Sequence, residues 1–231
     1  MRIIVFSDSL GRPRPDLDEL NRTRYKDVYG YLLKNYVQGR HEVDLCYVES
    51  LDSEDAIFWG QRMVAFREPD LVIFHFGIND AAPRLFKKNS KSIILNRWFR
   101  KLTRDIFMKV LNKYRYFFTR LFPKTYISLS DFRKNIQEIV KEITKYSPNI
   151  TFYAVSISRV PELLETRSWQ YNQNIDNYNG ILRELFGTNF IDINQLVKPE
   201  KLLISDGIHL TAFAHRQLAT YLCEKIEQEC E

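Results

Sequence analysis

The chain is sparing with the residues that break a fold. Eight glycines and eight prolines are spread over 231 positions, and no Gly/Ser linker, low-complexity tract or internal repeat divides them. Cysteine is scarcer still. Cys46, Cys223 and Cys230 are odd in number and lack metal-ligand spacing. They exclude a disulfide framework or a cysteine-rich metal site and fit idle thiols in a reducing cytoplasm. No stretch approaches the roughly 20 uninterrupted apolar residues of a spanning helix. The first apolar run, Ile3 to Phe6, has only four residues, too few for a secretory leader. Acids are missing from one long segment. Between Arg84 and Lys124 there are thirteen basic residues and one acid, Asp105, so the segment carries about +12. The whole chain has a formal net charge of +5, which leaves about −7 for the rest. A mildly acidic body therefore carries one basic element.

Apolar residues make up 45% of the chain and charged residues 27%, enough for a packed core and too apolar for global disorder. Four β-branched runs predict strands at Ile3–Phe6, Val43–Val48, Leu71–Phe76 and Ile150–Val155, with a shorter one at Asn189–Ile193. Helical periodicity falls between them. Tyr25–Val37 places Val28, Tyr31, Leu32, Tyr36 and Val37 on one side. Ser128–Tyr146 opens on the capping pattern Ser128-Leu129-Ser130-Asp131 and buries Phe132, Ile136, Ile139, Val140 and Ile143. Trp169–Phe186 and Thr211–Gln228 complete the set. Strands alternating with helices predict an α/β domain with a mainly parallel five-stranded sheet covered on both faces. Sites in such sheets form beyond the carboxyl ends of the strands.

Two polar turns fall at that edge. Phe6-Ser7-Asp8-Ser9-Leu10-Gly11 follows the first strand, and His75-Phe76-Gly77-Ile78-Asn79-Asp80 ends the third. A serine hydroxyl needs a base to take its proton and donors to hold the resulting oxyanion. Of the four histidines, His41 lies in a polar loop and is expected to be solvated. His75 is inside an apolar strand and is expected to be a satisfied core residue. His215 lies in a helix with no carboxylate at helical spacing before it. His209 stands apart, in Ser205-Asp206-Gly207-Ile208-His209-Leu210-Thr211. Gly207 permits a tight turn that folds Asp206 back onto the imidazole. The bland alternative is a helix-entry turn with a passive histidine.

"FSDSLG", "GIND" and "DGIHLT", in this order, resemble the motifs of the SGNH/GDSL hydrolases over nearly the whole chain outside the basic segment. The resemblance implies a flavodoxin-like three-layer α/β/α sandwich and ester hydrolysis without a metal or organic cofactor. It makes Ser9 the nucleophile, His209 the base and then acid, and Asp206 the residue that orients His209. Asn79 becomes an oxyanion donor beside the Ser9 N–H. The family's usual leading glycine is Ser7 here. The glycine expected after the second strand is missing from "YVESLDSEDAIFWG" until Gly60, so Ser53 is the best positional match for a third oxyanion donor. Asp8 and Arg84 are candidate substrate contacts. The competing reading makes Asp8 a turn carboxylate bonded to backbone, Asp80 a helix cap, and Arg84 solvated surface. "SDSLGRPRP", "INDAAPRLF" and "DNYNGIL" are similar to a branch associated with bacterial surface-polysaccharide assembly, which makes O-acyl sugars the leading substrate. The alternatives are a lysophospholipase-like lipid esterase, a sugar O-acyltransferase, and a non-catalytic membrane- or glycan-binding protein on the same scaffold.

The basic segment, about 84–124 of a single domain 1–231, places Ile94, Trp98, Leu102, Ile106, Val110, Tyr114, Phe117 and Leu121 at helical spacing. It predicts one long amphipathic helix or two shorter ones. Such an insertion can pack as a lid that hides its aromatic surface, dock on an anionic membrane, or hold an acidic glycan. Charge alone would also suit nucleic acid, but no nucleic-acid motif accompanies it. The expected location is cytoplasmic, with peripheral attachment at the inner face of the membrane if the segment docks there.

Overall fold

The computed structural model describes residues 1–14, 22–88, 90, 92, 101 and 105–230. Five strands form one sheet in the order β2-β1-β3-β4-β5. They are β1 (Arg2–Ser7), β2 (Glu42–Tyr47), β3 (Leu71–His75), β4 (Thr151–Val155) and β5 (Phe190–Ile191). All four pairings are parallel, and Ser7 of β1 lies opposite Tyr47 of β2 and His75 of β3. The sheet expected from the sequence is therefore present, and its strands are wholly parallel.

Alternation along the strands separates two cores, because successive strand residues point to opposite faces. Ile4, Phe6, Val72, Phe74 and Ala154 face one way, toward α2 (Ser53–Met63), α6 (Leu129–Thr144) and α8 (Tyr171–Phe186). Ile3, Val5, Leu71, Ile73, Tyr153 and Val155 face the other, toward α1 (Tyr29–Tyr36) and α11 (Ala212–Cys230). Phe6 meets Phe74 and Phe76 edge-on at 6.3 and 5.7 Å, the geometry that ring quadrupoles favour. Ser128 caps α6 as its sequence predicts, accepting from the Asp131 N–H at 3.1 Å. The first helical pattern starts later than its periodicity suggests. Tyr25–Asp27 is a 3-10 turn, and Val28 is extended before α1 begins.

Short helices α3 (Ile78–Ala81), α7 (Glu162–Glu165), α9 (Ile193–Leu196) and α10 (Pro199–Leu202) sit around the carboxyl ends of the strands or just after them. Within the basic segment, α4 (Ile106–Lys113) and α5 (Arg115–Leu121) are two short helices broken at Tyr114. The expected positions at Ile94, Trp98 and Leu102 lie outside the described residues. The insertion docks through polar anchors. Arg115 Nε donates to Ser168 Oγ at 2.8 Å, Arg115 Nη2 to the Pro83 carbonyl at 2.6 Å, and the Trp169 N–H to Thr119 Oγ1 at 2.9 Å. Among its described aromatic residues, Phe107, Phe117 and Phe122 are 50%, 56% and 58% exposed.

Candidate active site

Ser9 stands two residues past β1, at the head of a 3-10 turn (Ser9–Gly11). Asp8 caps that turn by accepting the Leu10 N–H at 2.8 Å. The turn is tied to the neighbouring strand end: Ser7 Oγ donates to the His75 carbonyl at 2.7 Å, and the Asp8 N–H reaches the same carbonyl at 3.3 Å. Asp8 is fully buried, so it is a structural cap and not a substrate contact. Burial, with the charge of Asp80 adding to it, pushes its carboxyl up to about 8.

His209 arrives from the opposite end of the sequence. Its Nε2 lies 3.0 Å from Ser9 Oγ and its Nδ1 lies 2.6 Å from Asp206 Oδ2. The other Asp206 oxygen accepts the backbone N–H groups of Ile208 and His209 at 2.8 and 3.0 Å. Burial acts to raise the Asp206 pKa, but the His209 side chain and these two amides outweigh it and hold the carboxyl below its usual range. Gly207, at φ 70°, makes the turn possible, because a Cβ there would lie 2.8 Å from Pro161 Cγ.

Pro161 belongs to the loop after β4, whose backbone is held by three asparagines. Asn179 Oδ1 accepts the Ile157 N–H and its Nδ2 donates to the Ile157 carbonyl, both at 2.8 Å. Asn172 does the same to Val160, at 2.8 and 3.0 Å. Asn194 accepts the Arg159 N–H at 2.8 Å. These clamps leave no local sequence signature, because each joins a helix to a loop distant in sequence.

Asn79 lies in α3, past the end of β3 and beside the Ser9 turn. Gly77 starts the turn at φ 123°. Asn79 Nδ2 donates to the Leu51 carbonyl at 3.1 Å, which uses one of its two N–H bonds. Arg84 Nη2 donates to the Asn79 backbone oxygen at 3.2 Å and to Oδ1 at 3.3 Å. The amide is thus held with its oxygen toward Arg84 and its nitrogen toward the loop after β2.

Ser53 does not present the free N–H expected of it. That N–H reaches Asp80 Oδ1 at 3.0 Å, and Ser53 Oγ donates to the same oxygen at 2.6 Å. Asn135 Nδ2 reaches Ser53 Oγ at 3.0 Å. Asp80 is therefore not a cap of its own helix but a bolt between the loops after β2 and β3. Burial raises its carboxyl to about 7 against the Ser53 hydrogen bonds.

The other histidines sit elsewhere. His41 is not solvated: its side chain is 10% exposed and Nε2 lies 3.7 Å from Glu227. His75 is in the core as expected, yet neither ring nitrogen has a hydrogen-bond partner among the described residues. His215 Nδ1 accepts the Tyr29 N–H at 3.2 Å. Among the described residues no cluster of three or more His, Cys, Asp or Glu could hold a metal, and no helix is long and apolar enough to cross a membrane.

Residues 48–217 match the model of the GDSL-like lipase/acylhydrolase family. The match spans Asn79, Asp206 and His209 and begins after Ser9. No curated protein sequence matches the chain. Similar solved structures include a lipase/acylhydrolase from Enterococcus faecalis, at TM-score 0.64 and 16% identity over 99% of this chain and 96% of that one. Est24, a carbohydrate acetylesterase from Sinorhizobium meliloti, aligns at TM-score 0.62 and 13% identity over 98% of both chains. A catalytic mutant of Axe2, an acetylxylan esterase from Geobacillus stearothermophilus, aligns at 0.59 and 14% over 97% and 93%. At these identities the likeness is one of fold, while the family match covers well over half of the sequence. The chain belongs to the GDSL-like lipase/acylhydrolase family, whose members are carboxylic ester hydrolases.

Proposed function

We propose that the protein is a serine esterase that removes O-acyl groups, chiefly O-acetyl, from a carbohydrate or glycan precursor. The observation that carries this reading is the continuous contact from Ser9 Oγ through His209 to Asp206, at 3.0 and 2.6 Å. With Nδ1–H donated to Asp206, His209 Nε2 is the atom that accepts the Ser9 proton. Ser9 Oγ attacks the acyl carbonyl as that proton leaves. The oxyanion is met by the Ser9 N–H and the second N–H of Asn79. Protonated His209 then gives its proton to the departing sugar alkoxide. A water molecule repeats the sequence on the acyl-enzyme, releasing the carboxylic acid and free Ser9.

The third donor is better assigned to the loop at Leu51. Its carbonyl holds Asn79, and it follows Ser50, which is in the left-handed region at φ 57°. The acetylesterase neighbours support a carbohydrate ester. Acyl transfer to a second sugar would use the same groups, with an alcohol replacing water. The test is a panel of p-nitrophenyl esters from acetyl to dodecanoyl, with a fluorophosphonate probe. Fastest turnover of acetyl and labelling at Ser9 are expected. Fastest turnover of dodecanoyl would favour a lipid ester, and labelling at another serine would remove the mechanism.

A second reading concerns place rather than chemistry. The outer faces of α4 and α5 expose Ile106, Phe107, Val110, Phe117 and Leu121 beside Lys109, Lys113 and Arg120. Apolar residues flanked by cations favour an anionic membrane surface. Co-sedimentation with phosphatidylglycerol vesicles, lost at high salt, is expected; no binding at low salt would refute it.

A further inference from the structure

We infer that a cationic pocket beside Asn79 is a substrate subsite for an anionic sugar, recognised through a carboxylate or a phosphate. This deepens the esterase reading and rests on it for the identity of the substrate. The pocket, of about 330 Å³, lies between the start of the basic segment and α4–α5 and is lined by Arg84, Lys87, Ser90, Asn112, Arg115 and Tyr126, among others. It is at the small end of ligand sites. Arg84 joins it to the reaction centre, since this side chain both lines the pocket and donates to Asn79.

The charge in it is unbalanced. The described hydrogen bonds of Arg84 go to Asn79, and those of Arg115 go to Ser168 and Pro83, all neutral acceptors. Arg84 Nε is buried with no described hydrogen-bond partner. Arg84 and Arg115 line the same pocket, and burial, then the charge of Arg84, lower the pKa of Arg115. Other cations of the chain do have acid partners: Lys88 meets Asp52, Glu54 and Asp55, and Arg133 meets Glu184. From Arg84 to Lys124 the sequence supplies only Asp105 as an acid. An oxyanion would relieve the repulsion, because guanidinium groups bind carboxylate and phosphate through paired N–H donors. Tyr126 lines the same pocket and holds Arg84 over its ring at 4.1 Å. Ser90 through its hydroxyl and Asn112 through its amide offer hydrogen-bond partners to sugar hydroxyls.

Three matched substrates separate the possibilities: 3-O-acetylglucose, 3-O-acetylglucuronic acid and 3-O-acetylglucose 6-phosphate. At least one anionic ester should be hydrolysed with kcat/KM about tenfold or more above the neutral one, as a charged hydrogen bond commonly provides. Which one wins identifies carboxylate or phosphate. Arg115→Gln should reduce that preference by about tenfold, measured as the anionic-to-neutral ratio. Because Arg115 also anchors the insertion, Lys87→Gln provides a second reading from an exposed side chain with no anchoring role, and it should reduce the same ratio. Calorimetric titration of the intact protein with glucuronate and with glucose 6-phosphate gives a readout independent of turnover. Arg115-dependent anion binding without hydrolysis of any ester would uphold the subsite and overturn the esterase. Equal or faster turnover of the neutral ester, or a preference unchanged in both variants, would overturn the subsite.

Discussion

Asp80 Oδ1 accepts both the backbone N–H and the hydroxyl of Ser53, at 3.0 and 2.6 Å, all three groups being buried. Twenty-seven residues separate the pair, so this contact sets how the loop after β2 meets the turn that carries Asn79. Asp80→Ala strands two buried donors at about 1–3 kcal/mol each. It should lower stability by several kcal/mol in urea titration and slow ester turnover as well. Ser53→Ala keeps the N–H contact and should cost about 1 kcal/mol. Equal losses in the two variants would mean that the backbone contact contributes little.

His209→Ala should reduce kcat on the order of 10⁴-fold with the fold intact by circular dichroism. Asp206→Asn should also reduce it, because the amide cannot hold the same tautomer. If only His215→Ala inactivates, the proposed base is wrong, and its bond to the Tyr29 N–H would need another explanation.

Asn79→Ala should cost about 3 kcal/mol of barrier, roughly 10²-fold in kcat, with KM little changed. Asn79→Asp is the sharper variant, since it keeps the shape but puts a carboxylate where the oxyanion forms. A pure KM effect in either would make Asn79 a binding residue.

Stability should vary with pH through buried groups other than the triad residues themselves. Asp8 and Asp80 are raised to about 8 and about 7, so the folded chain holds protons that the unfolded chain has released. Stability from these groups therefore declines as pH rises from their unfolded value, near 3.8, to their folded values. His75 and His215 are lowered to about 3 by burial. They have the opposite effect, raising stability as pH climbs toward 6.5, their unfolded value. The two effects offset one another at acid pH, and the carboxyls alone remain above it. Thermal midpoints should thus fall between about pH 6.5 and pH 8, and the fall should be shallower in Asp8→Asn. An unchanged slope in that variant would show that Asp8 is ionised throughout.

The strands were legible because alternation and β-branching are local. Ile3 to Phe6 announces β1 without help from the rest of the chain. Ser9, Asp206 and His209, which the structure brings into contact, are legible as candidates because each sits in a short motif at a strand end or before a helix, as Asn79 does. Contacts that join distant turns were not. Position alone suits Ser53 to the part of third oxyanion donor, yet its N–H goes to Asp80. The clamps from Asn172, Asn179 and Asn194 were invisible for the same reason: an asparagine on a helix looks solvated until its loop is known. The polar neighbours of His41 suggest a solvated ring, but Glu227, far along the chain, lies 3.7 Å from it. Tyr25–Asp27 looked helical because the apolar spacing continues through a segment whose backbone does not.

Ser9 and His209 are 200 positions apart, and that distance gives the site a history. During synthesis the proposed nucleophile leaves the ribosome 200 residues before His209, set in β1, a strand that lies between β2 and β3. Its partner follows only after the whole sheet has been made. A nascent or truncated chain that stops short of the Asp206 turn can bury much of one face of the sheet yet has no base for its serine. If the proposed triad is the catalytic one, such fragments would be inert toward esters.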